Sequence, residues 1–147
     1  MPRSGRQVPV KQEPTEGAHR AAVGIPVVHG REDVKAAVES VASSDLVVFA
    51  SPTFKATYTG VLKLFLDQFA TGEGLKDVVA VPLMLGAGPA HAMAPDLLLK
   101  PVLVELGATT PAAGLYLIDS TYTTDGRIGD YVARWGGIVG AASAAAC

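Results

Sequence analysis

Apolar residues recur along this chain in two rhythms. Three short runs are continuous, Leu46-Val47-Val48-Phe49-Ala50, Val78 to Leu85 and Gly114 to Ile118, the first of them rich in β-branched side chains. Runs of that kind read as strands of a parallel sheet covered on both faces. Between them the spacing turns helical. Val34, Ala37, Val38 and Val41 predict a helix from about Glu32 to Ser43, with Glu32 and Asp33 at the end that favours negative charge. Val61, Leu62, Phe65, Leu66 and Phe69 predict a second helix from about Tyr58 to Ala70, with Lys63 and Asp67 paired at i,i+4. Leu97, Leu98, Val102, Leu103 and Leu106 form the face of a third, opened by Pro95 and stopped at Gly107. Ile128, Tyr131, Val132 and Trp135 form the face of a fourth. Two prolines disturb the pattern: Pro82 sits inside a strand, and Pro101 should kink or split its helix.

Continuous apolar strands alternating with amphipathic helices build a parallel α/β sheet wound by right-handed crossovers. The expected organisation is a flexible N-terminal arm over residues 1–30, one domain over 31–140 and an alanine-rich tail, frayed, over 141–147. Three strands are few where about five or six are usual, so an early element looks absent; Gly24 to Val28 is the one candidate for it, confined by Pro26 to an edge. Ligands of open parallel sheets sit outside the carboxyl ends of the strands, which directs attention to the loops after Ala50, Leu85 and Ile118. Ser51-Pro52-Thr53-Phe54-Lys55-Ala56-Thr57 combines a rigid proline, hydroxyls and an aromatic ring; Gly86-Ala87-Gly88-Pro89-Ala90-His91 allows close approach of backbone to a ligand. On spacing alone, ordinary strand-to-helix turns explain both loops equally well.

Composition narrows the classes. Among 147 residues 49% are hydrophobic, and twelve Lys+Arg against fourteen Asp+Glu leave a net charge of −2. That excludes a largely disordered chain and offers no basic stripe for nucleic acid. One cysteine, Cys147, excludes an internal disulfide and a multi-cysteine metal site. No apolar run approaches the roughly 20 residues that span a bilayer, and without a signal-like segment the cytoplasm is the default. Asp119, Asp125 and Asp130 lack the spacing of a calcium loop, so no metal site is expected there.

The stretch Ser51 to Lys63 followed by Phe65-Leu66-Asp67 resembles the signature of NADPH-dependent FMN reductases of the flavodoxin-like fold, as does Pro82 to His91 continued by Leu99-Lys100-Pro101-Val102-Leu103. The alkanesulfonate-type reductases are the nearest in appearance. The resemblance implies a three-layer parallel sheet with helices on both faces and FMN across its carboxyl edge. Ser51, Pro52, Thr53, Phe54, Lys55 and Thr57 would hold the pyrimidine end of the flavin, and Gly86, Ala87, Gly88 and His91 would lie beside the ring system. NADPH would give a hydride to the flavin by stacking and exclusion of water, so no catalytic side chain is implied. Homodimers or homotetramers, and a flavin-dependent monooxygenase as recipient of the reduced flavin, are implied as partners.

Two departures from the family pattern stand out. The opening strand and phosphate loop of the Gly-Ser-x-Arg-x-x-Ser kind are missing, since no apolar strand precedes Met1-Pro2-Arg3-Ser4-Gly5-Arg6, and their loss would leave the Leu46 strand with an open edge. Gly86-Ala87-Gly88 stands where relatives often have Thr-Gly-Gly. The alternative reading is therefore a shortened, non-catalytic flavodoxin-like module without the phosphate site. A flavodoxin-type electron carrier ranks last, because a net charge of −2 is small for electrostatic steering. Leu97 reads as a core leucine, His91 as a surface or capping residue unless it meets the flavin, and His19 and His29 as exposed.

Overall fold

In the computed structural model, residues 21–22 and 31–145 are described. The arm expected over residues 1–30 lies outside them except for Ala21–Ala22, and so do the Gly24 to Val28 candidate strand, His19, His29 and Cys147. The described elements run β1 (Ala21–Ala22), α1 (Arg31–Ala42), β2 (Leu46–Pro52), α2 (Gly60–Leu66), β3 (Val79–Gly86), α3 (Lys100–Glu105), β4 (Leu115–Ile118) and α4 (Arg127–Ala145). All four strands are parallel in the order β1-β2-β3-β4. The sheet thus has one strand more than the apolar runs indicated, a two-residue segment too short to carry a periodic signal. It pairs with Leu46 and Val47, so the edge expected to be open is closed at its lower end.

Two apolar layers flank the sheet. On one face Val47, Phe49, Ala80 and Met84 pack with Ala37 of α1, Leu62, Phe65 and Leu66 of α2, and Leu99 and Leu103 around α3. On the other, Val79, Val81 and Ala112 pack with Val139 of α4, flanked by Tyr131 and Trp135. This is the expected three-layer α/β arrangement, with one departure. Strand β2 is buried on a single face: Val47, Phe49 and Ser51 point inward, whereas Val48 is 43% exposed and Ala50 and Pro52 are exposed with it. A continuous apolar run cannot distinguish a doubly covered strand from a singly covered one, and α4 covers the β3 side of that face.

Pro82 survives inside the central strand because of register. Ala80 N–H donates to Thr109 O at 2.8 Å and Asp119 N–H to Gly86 O at 3.0 Å, whereas Val79 N–H donates to Asp45 O at 3.0 Å. Even-numbered residues of β3 therefore face β4 and odd-numbered ones face β2. The N–H that Pro82 lacks would point toward β4 between the Thr109 bridge and Leu83↔Leu115, the first β4 pair. In that gap the chain loops out and no ladder bond is lost.

The helices also differ from their sequence expectations in instructive ways. Helix α2 starts at Gly60, capped by Thr59, whose Oγ1 accepts Leu62 N–H at 3.3 Å, and it ends at Leu66 rather than Ala70. Gln68 and Phe69 N–H bond three residues back, to Phe65 and Leu66, so the chain tightens into turns that still bury Phe69 edge-on against Phe65, centroids 5.4 Å apart. Val61, counted on the apolar face, is exposed. The predicted split at Pro101 takes the form of a π turn over Pro95–Leu99, in which Lys100 N–H bonds Pro95 O five residues back. It widens the helix just where proline cannot donate to residue 97. Leu97, read as a core residue, is 65% exposed on the outside of that turn. Residues after Gly140, expected to fray, continue α4 to Ala145, consistent with alanine's helix propensity and with the burial of Val139 and Ser143 beneath them.

Helix α3 is closed by a Schellman motif: Ala108 N–H reaches Leu103 O at 3.0 Å and Gly107 N–H reaches Val104 O at 3.0 Å. Gly72 and Leu75 N–H then take the carbonyls of Glu105 and Leu106, each at 2.8 Å. Gly107 has φ +99°, and a Cβ there would lie 2.4 Å from Gly72 O. Gly107→Ala is expected to cost about 1–3 kcal/mol in urea unfolding. Across the sheet, Tyr131 OH donates to Ala113 O at 2.7 Å and ties α4 to the segment before β4. Burial first, and the Asp96 carboxylate second, push the Tyr131 phenol above its usual range. A phenol that stays protonated longer in the folded state contributes stability in full below the unfolded tyrosine pKa of about 10 and loses it as the pH rises through the folded value. Thermal melts should therefore show a decline above about pH 10 that Tyr131→Phe reduces.

Candidate functional site

The carboxyl ends of β2, β3 and β4 open onto a cleft of about 620 Å³, within the range of small-molecule sites. Its lining comes from the loop after β2 (Thr53, Lys55 and Ala56), the loop after β3 (Gly86 to His91) and Tyr116 of β4. Both loops singled out from sequence therefore meet at one place. Thr53, Lys55, Gly86, Ala87, Gly88 and His91 line the cleft; Ser51, Pro52, Phe54 and Thr57 do not.

Those four residues shape the first loop. Ser51 is buried, its Oγ accepting Thr59 N–H at 3.0 Å and donating to Pro52 O at 2.9 Å. It thereby seats the start of α2 against the end of β2. Phe54 and Thr57 bond each other's backbone, with Phe54 N–H to Thr57 O at 2.7 Å and Thr57 N–H to Phe54 O at 3.3 Å. This two-residue hairpin puts Lys55 at φ 52° and Ala56 at φ 71°. Left-handed backbone at both central positions is the hairpin geometry that favours Asn-Gly, and here two residues with Cβ atoms adopt it. Phe54 stands out into solvent, 64% exposed, with Lys55 Nζ 5.8 Å from its ring centroid.

Thr53 joins the strand end to the cleft. Its N–H donates to Leu85 O at 2.6 Å, fixing the first loop to β3. Its Oγ1 is buried with no hydrogen-bond partner, and an orphaned buried hydroxyl at the wall of a cleft is a group waiting for a ligand or water. The second loop leaves Gly88 fully extended, with open space where a Cβ would stand. Beyond it Pro89–His91 form one 3₁₀ turn, leaving His91 exposed at the rim.

Of the lining residues, Ala56, Pro89, Ala90 and Tyr116 were not among those assigned from sequence. Ala56 gave no signal, since an alanine in a loop carries none. Tyr116 did carry one: a tyrosine inside a buried strand must find a partner for its hydroxyl. That partner is Gly88 O, at 3.0 Å.

Behind the cleft the crossover to β4 is fastened by the Asp96–Lys100 pair. Asp96 Oδ1 accepts Gly114 N–H at 2.9 Å, and Lys100 Nζ donates to Ala112 O at 2.8 Å. The polar loop after β4 closes on itself through Asp125, which accepts from Thr121 Oγ1 and Arg127 N–H. Among the described residues no three His, Cys, Asp or Glu side chains gather to hold a metal ion, and no helix is long and apolar enough to cross a membrane. The strain in the first loop is measurable. Ala56→Gly should raise unfolding free energy by up to about 1 kcal/mol and Ala56→Val should lower it by at least about that much, both read from denaturant midpoints.

The comparisons with known proteins agree with this geometry. The family model for NADPH-dependent FMN reductase matches residues 13–123, more than half of the chain. An FMN reductase (NADPH) of Escherichia coli (strain K12) is 37% identical over 87 residues, 59% of this chain and 45% of that protein. A solved NADH:FMN oxidoreductase (EMOB), in its apo form, superposes with TM-score 0.64 at 29% identity over 78% of this chain and 60% of that one. A flavodoxin, WrbA-like protein from Agrobacterium tumefaciens shares the fold at 12% identity, TM-score 0.58, over 74% of this chain and 72% of that one. The chain spans about half the length of the curated relatives it matches. A flavodoxin-like parallel sheet with two small-residue loops converging at its carboxyl edge, matched by the family model across both loops, makes this chain a member of the NADPH-dependent FMN reductase family.

Proposed function

We propose that the cleft takes the isoalloxazine system of FMN and that the protein acts as a flavin reductase with NADPH as the hydride donor. The observation that carries this reading is the orphaned, buried Thr53 hydroxyl in a cleft whose wall is open at Gly88. A planar ring lying against Gly88 would find open space where a side chain would stand, while its polar edge would be directed toward the Thr53 hydroxyl. The N–H groups of Lys55 and Ala56 have no acceptor among the described residues, and the left-handed hairpin that carries them would present them to the same edge. Among the described residues no carboxylate lines the cleft, so a group that gains electrons meets no like charge from them, and Lys55 at the tip of the hairpin would favour it.

FMN supplies a two-electron acceptor when bound; everything else falls to the chain. The hairpin orients the ring edge, the glycine loop permits close stacking, and Tyr116 and the methyls of Ala56 and Ala87 exclude water from one side. No general acid or base is required of the chain by this chemistry. Lys55 and His91, the two cationic or titratable side chains at the rim, are suited to the phosphate of a nucleotide. A homodimer or homotetramer, NADPH preference over NADH, and delivery of reduced flavin to a monooxygenase follow from the family as parts of the same proposal. The second reading, a non-catalytic module, is favoured by the exposed outer face of β2, where Val48, Ala50 and Pro52 stand uncovered by any described residue.

A fluorescence titration of FMN separates the two. The reductase reading expects saturable quenching that Gly88→Trp abolishes, because an indole at Gly88 fills open cleft space without touching the packed core. It further expects FMN-dependent oxidation of NADPH that the same substitution removes. Native circular dichroism with no flavin binding would leave the non-catalytic module as the correct reading.

A further inference from the structure

We infer that Tyr116 is a positioning residue for the ligand of this cleft, holding the Gly88 carbonyl so that the glycine loop favours an electron-rich ring; the inference rests on the flavin reading above. Tyr116 enters from the middle of β4, its ring buried to 6% exposure, and its hydroxyl donates to Gly88 O at 3.0 Å. To arrive there it passes over Gly86. A Cβ at Gly86 would lie 2.0 Å from the Tyr116 hydroxyl and 3.3 Å from Thr53 Oγ1. Glycine at 86 is therefore needed for the tyrosine to reach its acceptor, independently of any backbone conformation. The same numbers bring the Thr53 and Tyr116 hydroxyls together at the one point of Gly86 where a side chain would stand.

The bond from Tyr116 is the one the described residues give to the Gly88 carbonyl. Without it, the oxygen end of a peptide dipole would stand unpartnered in the wall of the cleft, free to turn toward whatever occupies it. A carbonyl oxygen beside a ring repels added electron density, so the reduced form of a flavin would suffer more than the oxidised form. With the hydroxyl in place the dipole is engaged by the protein. Tyr116 thus acts through Gly88, not by contact with reacting atoms, and its mark is the ratio of affinities for the two redox forms.

The test is an anaerobic titration of oxidised and dithionite-reduced FMN into the native chain, Tyr116→Phe and Gly86→Ala, each checked by circular dichroism. The phenylalanine keeps the ring and loses the donor, and the alanine methyl displaces the hydroxyl from Gly88. Both variants are expected to weaken reduced FMN about tenfold relative to oxidised FMN, the effect of roughly one lost hydrogen bond. A redox ratio unchanged from native in either folded variant overturns the inference while leaving the flavin reading intact. A native chain that binds neither form of FMN removes the flavin reading and this inference together.

Discussion

The pairing of β2 with β3 is the constraint on which the rest of the molecule depends. Seven consecutive residues, from Leu46↔Val79 to Pro52↔Leu85, are held in register, so both strands end level with each other. Thr53 N–H closing on Leu85 O extends that register into the first loop. A slip of one residue would turn Val47 and Phe49 outward and Val48 inward, emptying the layer built by α1, α2 and α3. It would also separate the two loops whose convergence makes the cleft. The site is thus a consequence of a ladder fixed far below it by apolar burial.

Rigidity is distributed unevenly around that ladder. On the side away from the cleft, the Schellman end of α3 shares its last carbonyls with the turn after α2, and Asp96 with Lys100 fastens the crossover to β4. Toward the cleft, the chain is held in conformations that local preference opposes. Lys55 and Ala56 occupy left-handed backbone, and Thr53 keeps a buried hydroxyl unpaired. Strain and unsatisfied polar groups persist where the surroundings over-determine them, and they gather at sites that bind. Here the over-determination comes from the Phe54–Thr57 backbone pair and from Ser51, which anchors both the strand end and the cap of α2.

The flavin chemistry proposed for this site asks little of side chains. The reaction class needs a flat surface, a few correctly aimed backbone groups and protection from water. The lining is mostly glycine, alanine and proline, with hydroxyls from Thr53 and Tyr116 and with Lys55 and His91 beside them. The cleft is legible in the sequence through small residues and backbone rather than through titratable pairs.

How much of this was written in the sequence depends on the range of the interaction concerned. Three strands and four helices were legible because burial imposes period on apolar residues, and the two loops were legible because proline, glycine and hydroxyl residues cluster there. The split at Pro101 and the stop at Gly107 were legible because each follows from the backbone chemistry of one residue. The single-sided burial of β2, the exposure of Val61 and Leu97 and the helical continuation past Gly140 were not, because apolar runs record how hydrophobic a residue is and not what lies over it. The site divides the same way. That the loops over residues 51–57 and 86–91 meet at the carboxyl edge followed from strand order, although Ser51, Pro52, Phe54 and Thr57 do not line the cleft there. That Tyr116 crosses Gly86 to hold Gly88, that Ser51 faces inward as a brace, and that Thr53 is left with an unpaired hydroxyl were decided by tertiary structure. These depend on contacts between residues about 10 to 60 positions apart, which only a fixed sheet register brings together.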